Sequence, residues 1–243
     1  MRMLTFAKRC AKEILRDPLN LFFGLGFPLV LLLLLSAIQA SIPVSLFEID
    51  KLTPGITVFG MSFMTLFSAT LVAKDRESAL LQRLYTTPLT GLDFILGYML
   101  PLLPIALCQT LICYIFAVPL GLKFGPNVIL AIIGIVPMAI FNIALGLLCG
   151  SIFGVKQVGG ICGALLTNLS AWLSGIWFDL ELVGGAFQRV ANLLPFVHAV
   201  ELEKALFSGN FEAAATHILP IAIYSISISA AAVLSFLTQM KKQ

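Results

Sequence analysis

Residues 21–40 read LFFGLGFPLVLLLLLSAIQA, a stretch with no charged residue whose only polar side chains are Ser36 and Gln39. As an α-helix, a run of about 20 residues rises about 30 Å, the thickness of a bilayer's hydrocarbon core. Five further windows have the same character: 54–73, 94–118, 127–153, 158–178 and 218–238. Each is too long and too uniformly apolar to be a strand of a membrane barrel, which alternates apolar and polar residues over about ten positions. The sequence therefore predicts an all-α integral membrane protein with six transmembrane helices.

Composition supports this reading. Of 243 residues, 59% are hydrophobic and 11% charged, whereas a soluble domain carries about 25% charged residues. So little charge cannot cover a water-facing surface, and the spans use nearly the whole length, so residues 1–243 are expected to form one membrane domain. The net charge of +3 is too small and dispersed for nucleic-acid binding. Cys10, Cys108, Cys113, Cys149 and Cys162 have no metal-ligand or disulfide spacing and read as small apolar packing residues.

Lysine and arginine placement predicts the orientation. With the N-terminus cytoplasmic, the inner segments hold Arg2, Lys8, Arg9, Lys12, Arg16, Lys74, Arg76, Arg83, Lys156, Lys241 and Lys242, and the outer ones only Lys51, Lys123, Arg189 and Lys204. Both termini are expected inside, in the plasma (cytoplasmic) membrane. The basic start before an apolar run resembles a signal peptide, but the leader is long and reads as a structured helix, so cleavage is not expected.

Within residues 1–17, Leu4, Ala7, Ala11 and Ile14 share one helical face, opposite Lys8, Arg9, Lys12, Glu13 and Arg16. That pattern predicts an interfacial amphipathic helix, ended by Asp17-Pro18. The loop 74–90 contains a short helical stretch with Leu80, Leu81 and Leu84 on one side and Glu77, Gln82 and Arg83 available to solvent. Exposed leucines there suit docking into a partner's groove, and a surface-lying turn fits equally well. Thr90 and Asp93 have capping-box spacing for the next helix. The segment 179–217 offers two amphipathic helices, 185–194 and 198–207, expected to dip into the outer leaflet.

The spans as drawn hold no ionisable residue, which disfavours a self-powered proton- or sodium-coupled carrier. No phosphate-binding loop, His-Glu-x-x-His or Gly-x-Ser-x-Gly occurs, and His198 and His217 lack a visible catalytic constellation. Catalysis and bound cofactors are not expected in this chain. Uncharged polar residues recur in the spans, and Ser62, Thr65, Ser68, Asn142 and Asn168 are candidates to line a translocation path. The other role open to them is hydrogen bonding between helices. Gly146, Gly150 and Gly154 form a small-residue stripe, as do Gly159 and Gly163, and Pro101, Pro104 and Pro137 predict kinks.

Taken in order, these parts resemble the permease subunits of ABC-2 type ABC transporters over the whole chain. The resemblance rests on the N-terminal helix ending in Arg16-Asp17-Pro18, the six spans, the outer helices around Phe187-Gln188 and Leu194-Pro195, and the loop KDRESALLQRLYTTP at 74–88. It implies that this loop contacts the ATPase and relays its movement, the match falling on Glu77, Leu84 and the Thr87-Pro88 turn. The expected coupling residues are Glu77, Leu80, Leu81, Arg83, Leu84, Tyr85 and Pro88. The family's acidic-Gly pattern early in this loop is replaced by Ser78 and Ala79. The implied function is that of an exporter for an amphipathic, drug-like or lipid-like substrate, pairing with a second permease copy and a separate ATPase that binds ATP and Mg. A membrane scaffold or channel-like subunit without ATP coupling is the alternative.

Overall fold

In a computed structural model, residues 2–43, 45–78, 80–87 and 89–241 are described, with the side chains of Arg2, Tyr85, Met240 and Lys241 excepted. Every regular element among these residues is a helix, with no strand among them. Helix α1 is Arg2–Leu15, followed by α2, Pro18–Ser41, and α3, Ile49–Glu77. A short α4, Leu80–Tyr85, leads into α5, Gly91–Ala117. Helix α6 is Asn127–Ile152, interrupted at Ile135, and α7 occupies 155–173. Three shorter helices follow: α8 Leu180–Val183, α9 Gly185–Leu193 and α10 Pro195–Ser208. The last helix, α11, is Phe211–Lys241.

Among the described residues, five of these helices (α2, α3, α5 with its 3-10 extension, α6 and α11) are long and apolar enough to cross a membrane. The window at 158–178 is the outlier. Its helix starts earlier, with Lys156 and Gln157 in the first turn, and ends at Leu173, before a turn in which Gly175 takes φ +72°. The last helix also starts earlier than expected. Gly209, at φ +78°, stops α10, and Asn210 Oδ1 accepts the Ala213 N–H, so 211–217 belongs to α11 rather than to a loop.

Helix α3 is the hub of the bundle. In its apolar window 89% of residues are buried, against 22% in α2 and 17% in α11. It packs on α5, α6, α7 and α10. The expected small-residue stripe explains part of this. A Cβ on Gly146 would lie 2.2 Å from the Thr65 carbonyl oxygen, and one on Gly150 would lie 2.4 Å from that of Ala69. Side chains there would force α3 and α6 apart. Gly159 and Gly163 meet no such contact.

The prolines act unequally. Helix α5 is assigned continuously through Pro101 and Pro104, whereas α6 breaks just before Pro137, which lacks the N–H the ladder needs.

Helix α1 is rotated from its expected face. Phe6, Ala7, Cys10 and Ile14 are buried against the bundle, while Leu4 is exposed. The phenylalanine decides the rotation: its ring meets Phe94 and Tyr98 edge-on at 5.7 and 4.8 Å, over Gly97, whose missing Cβ makes room. A deep aromatic contact outweighs a single leucine at the helix start. The pair expected at 179–217 is also unequal. In α9 only Ala191 is buried, while α10 buries Phe196, Ala199, Val200, Leu202, Glu203 and Ala205 inside the bundle rather than lying over it.

Candidate functional site

The polar features collect at one end of the bundle, here the terminal end, where α1, α4, the α6–α7 junction and the tail of α11 meet. Helix α3 continues past its apolar window because KDRE is made of residues that tolerate a helix. Its last turns therefore carry Asp75, Arg76 and Glu77 as structural groups, each reaching a different element.

Asp75 is 1% exposed. The Arg9 guanidinium from α1 grips both its oxygens, at 2.5 Å for Nη2 to Oδ1, and the Tyr98 hydroxyl of α5 donates to Oδ2 at 2.8 Å. Glu13, one turn after Arg9, pairs with the same guanidinium at 2.6 Å. Burial would lower the Arg9 pKa, but the Asp75 bond and the charges of Asp75 and Glu13 raise it overall. Burial and the Asp75 charge push the Glu13 carboxyl up. Cys10, beside this cluster, is pushed up to about 12 by burial, so it is a neutral packing thiol.

Arg76 donates to the Ser151 carbonyl and, at 2.7 Å, to that of Phe153, satisfying the open carbonyls at the α6 C-terminus. Gln239 of α11 also donates to the Ser151 carbonyl, at 2.6 Å. Glu77 Oε1 accepts the Val155 N–H at 2.9 Å, capping α7. Asp17 caps α2 through the Asn20 N–H and accepts Lys74 Nζ at 3.0 Å. Burial opposes its ionisation, but the Lys74 and Asn20 hydrogen bonds win and hold the carboxyl below the usual carboxylate range. One helix end thus ties α1, α2, α5, α6 and α7 together.

The loop 74–90 hangs from this body. Leu81 is fully buried and Leu84 packs on the same cluster, with Leu80 half-buried, so the leucine face is turned inward rather than presented. Burying those side chains against the bundle removes apolar area from water without any partner. Arg83, Gln82, Thr86 and Thr87 are what α4 and its following turn expose. Pro88 lies outside the described residues, as does the Tyr85 side chain. The capping box forms as the spacing predicts: Asp93 N–H donates to Thr90 Oγ1 at 3.2 Å and Thr90 N–H to Asp93 Oδ2 at 2.9 Å.

Of the candidate path residues, three meet on the α3–α6 seam. Thr65 Oγ1 donates to Asn142 at 3.0 Å, and Ser68 Oγ lies 3.0 Å from the Ile143 carbonyl. Ser62 is also buried but bonds its own helix, at the Phe59 carbonyl. Asn168 stands apart on α7, exposed, beside an open groove of about 400 Å³ lined by Phe27, Phe59, Trp172 and Trp177.

The histidines come together as the sequence did not foretell, Nδ1 to Nδ1 at 3.0 Å between α10 and α11. Since the Asn192 carbonyl can only accept, His198 Nε2 carries a proton. Among the described residues no cluster of three or more His, Cys, Asp or Glu could hold a metal.

An all-helical chain with five such helices defines a multi-pass membrane protein. The sequence profile of the ABC-2 type transporter family matches residues 1–207, and the chain belongs to that family. It is thus the membrane permease subunit of an ABC transporter, associating with an ABC ATPase and a lipid bilayer. No curated protein and no solved structure matches it.

Proposed function

We propose that the chain is the permease of an ATP-driven exporter and works as a pair, each copy docking a separate ATPase that binds ATP and Mg. The observation that supports this reading most is the Arg9–Asp75–Tyr98 cluster with the Arg76 and Glu77 caps, because it makes the terminal end one body. Force applied to α4 or α1 then moves α3, α5, α6 and α7 together, as alternating access requires. In this reading the terminal end is cytoplasmic, the membrane is the plasma membrane, and α7 is the fifth of six crossings. Contact with the ATPase falls to Arg83 and the turn at 86–88, with Leu81, Leu84 and Glu77 positioning them.

The translocation path runs along the face bearing Asn168 and its aromatic groove, where the second copy stands opposite. Thr65, Ser68 and Asn142 hold α3 against α6 behind it, since their hydrogen bonds are already used there. A groove of aromatic walls with one amide suits an amphipathic, drug-like or lipid-like substrate.

The test is recovery of the tagged chain from its native membrane in mild detergent, with mass spectrometry of what accompanies it, beside an Arg83→Glu variant. A nucleotide-binding subunit present with the wild type and lost with the variant supports the reading. Its absence from the wild type, under conditions that keep a known transporter complex intact, sinks it in favour of an uncoupled scaffold or channel.

A further inference from the structure

At the end of the bundle away from the termini, a second carboxyl is as deeply buried as Asp75. Glu203, on α10, is 1% exposed. It faces α3, α5 and the first half of α6, and its surroundings offer almost nothing to a negative charge. Its Oε2 has no hydrogen-bond partner among the described residues. Its Oε1 lies 3.5 Å from the Thr57 hydroxyl, at the limit of a hydrogen bond, and that hydroxyl makes a much shorter bond to the Pro54 carbonyl, at 2.7 Å. Thr57 therefore gives the carboxyl at most one long, shared hydrogen bond. So little compensation makes a buried carboxylate costly there, whereas the neutral acid carries no charge to bury.

Among the described residues no cation pairs with it. Lys204, the adjacent residue, points to Glu201 at 2.8 Å. From α6 the approach is backbone: Glu203 Oε2 lies 3.8 Å from where a Cβ on Gly134 would stand. From α5 comes Tyr114, the titratable group on which a Glu203 charge would act, and its buried hydroxyl also lacks a partner. Thr57, from α3, does not titrate.

We propose that Glu203 is a proton-binding site, and that its proton holds α10 docked on α3 and α6. The position suits that role. Glu203 sits beside the break at Ile135, where Pro137 leaves α6 in two segments, so the first segment and α10 can part from α3 without unwinding an intact helix. While α10 is docked, the carboxyl keeps its proton. When α10 lifts and water reaches the site, the proton passes from the carboxyl oxygen to that water and the carboxylate is solvated. Burial, partly offset by the Thr57 contact, pushes the Glu203 carboxyl well above the usual carboxylate range. The proposal needs no ATPase and goes beyond the ATP-driven reading.

The test uses the full chain in lipid nanodiscs. Infrared spectroscopy should show a protonated-carboxyl C=O band at neutral pH that is absent from Glu203→Gln and disappears as pH rises. Over the same pH range, hydrogen exchange of the Pro195–Ser208 amides, corrected for intrinsic rates, should rise about tenfold in the wild type and stay constant in Glu203→Gln. Should that variant fail to fold, a shift of the band on 13C-glutamate labelling assigns it to a glutamate, and its persistence in Glu13→Gln separates it from the other raised carboxyl. An ionised Glu203 at neutral pH overturns the proposal. So does a protonated Glu203 whose loss of the proton leaves α10 exchange unchanged, since the acid would then be inert.

Discussion

Asp75 and Glu203 are equally buried, at 1% exposure each, yet they sit in opposite chemistry. Asp75 has a guanidinium on both oxygens and a phenol on one, so its charge is answered from two other helices. Among the described residues Glu203 has a threonine hydroxyl at 3.5 Å and no other hydrogen-bond partner. A satisfied buried charge fixes geometry, because moving either partner strands the other. An unanswered acid can only stay neutral, and is free to leave once water arrives. The terminal end is therefore built as a rigid grip, and the opposite end as one that can release.

The largest effect expected from breaking this contrast is at Arg9. Arg9→Ala leaves the buried Asp75 carboxyl without its cation. The cost should be on the order of 2–4 kcal/mol, below the fully buried case because the Arg9 side chain is 36% exposed. Thermal unfolding in nanodiscs measures it, and an Arg9→Met/Asp75→Leu double variant should recover most of the loss. A loss at Arg9 no larger than that of an exposed-surface variant would make the grip ornamental.

Next comes the seam joining the two ends. Gly146→Ala places a methyl against the Thr65 carbonyl, which cannot swing away, and should cost about 1–3 kcal/mol in the same assay. Tyr98→Phe removes one of several bonds to Asp75 and should cost about 1 kcal/mol. Glu203→Gln, by contrast, should change stability at neutral pH by less than about 0.5 kcal/mol, since an amide replaces a neutral acid of the same shape. A cost matching that of Arg9→Ala would show that the two carboxyls are alike after all.

The smallest effect is a pH dependence at the α1–α2 junction. Asp17 has its folded pKa lowered below 3.8, so its contribution is complete above that value. It should disappear as pH falls through the still lower folded value, releasing Lys74. Hydrogen exchange of residues 15–20 at falling pH reads this, and Asp17→Asn should remove the pH dependence.

Much of the architecture was legible. Unbroken apolar runs located five helices long and apolar enough to cross a membrane, and Thr90/Asp93 located a helix start, because both are local in the chain. The Gly146/Gly150 stripe marked a close helix contact correctly. The segment 80–85 was legible as a helix, but its exposed face was not: three leucines look alike in sequence, and only packing shows Leu81 turned inward. Gly175 and Gly209 were available as stop signals that would have shortened α7 and lengthened α11.

The sequence alone determined the helical class, the membrane setting and the resemblance that the family match bears out, since each follows from hydropathy and local order along the chain. Tertiary structure decided which acids matter. Asp75 reads as one of four charged residues opening a loop, and Glu203 as one of several in an interfacial helix. Partners 66 residues away for Asp75 and 146 away for Glu203 give one a cation and the other only a hydroxyl. The solvation of a charge depends on what surrounds it in space, and sequence separation carries no record of that.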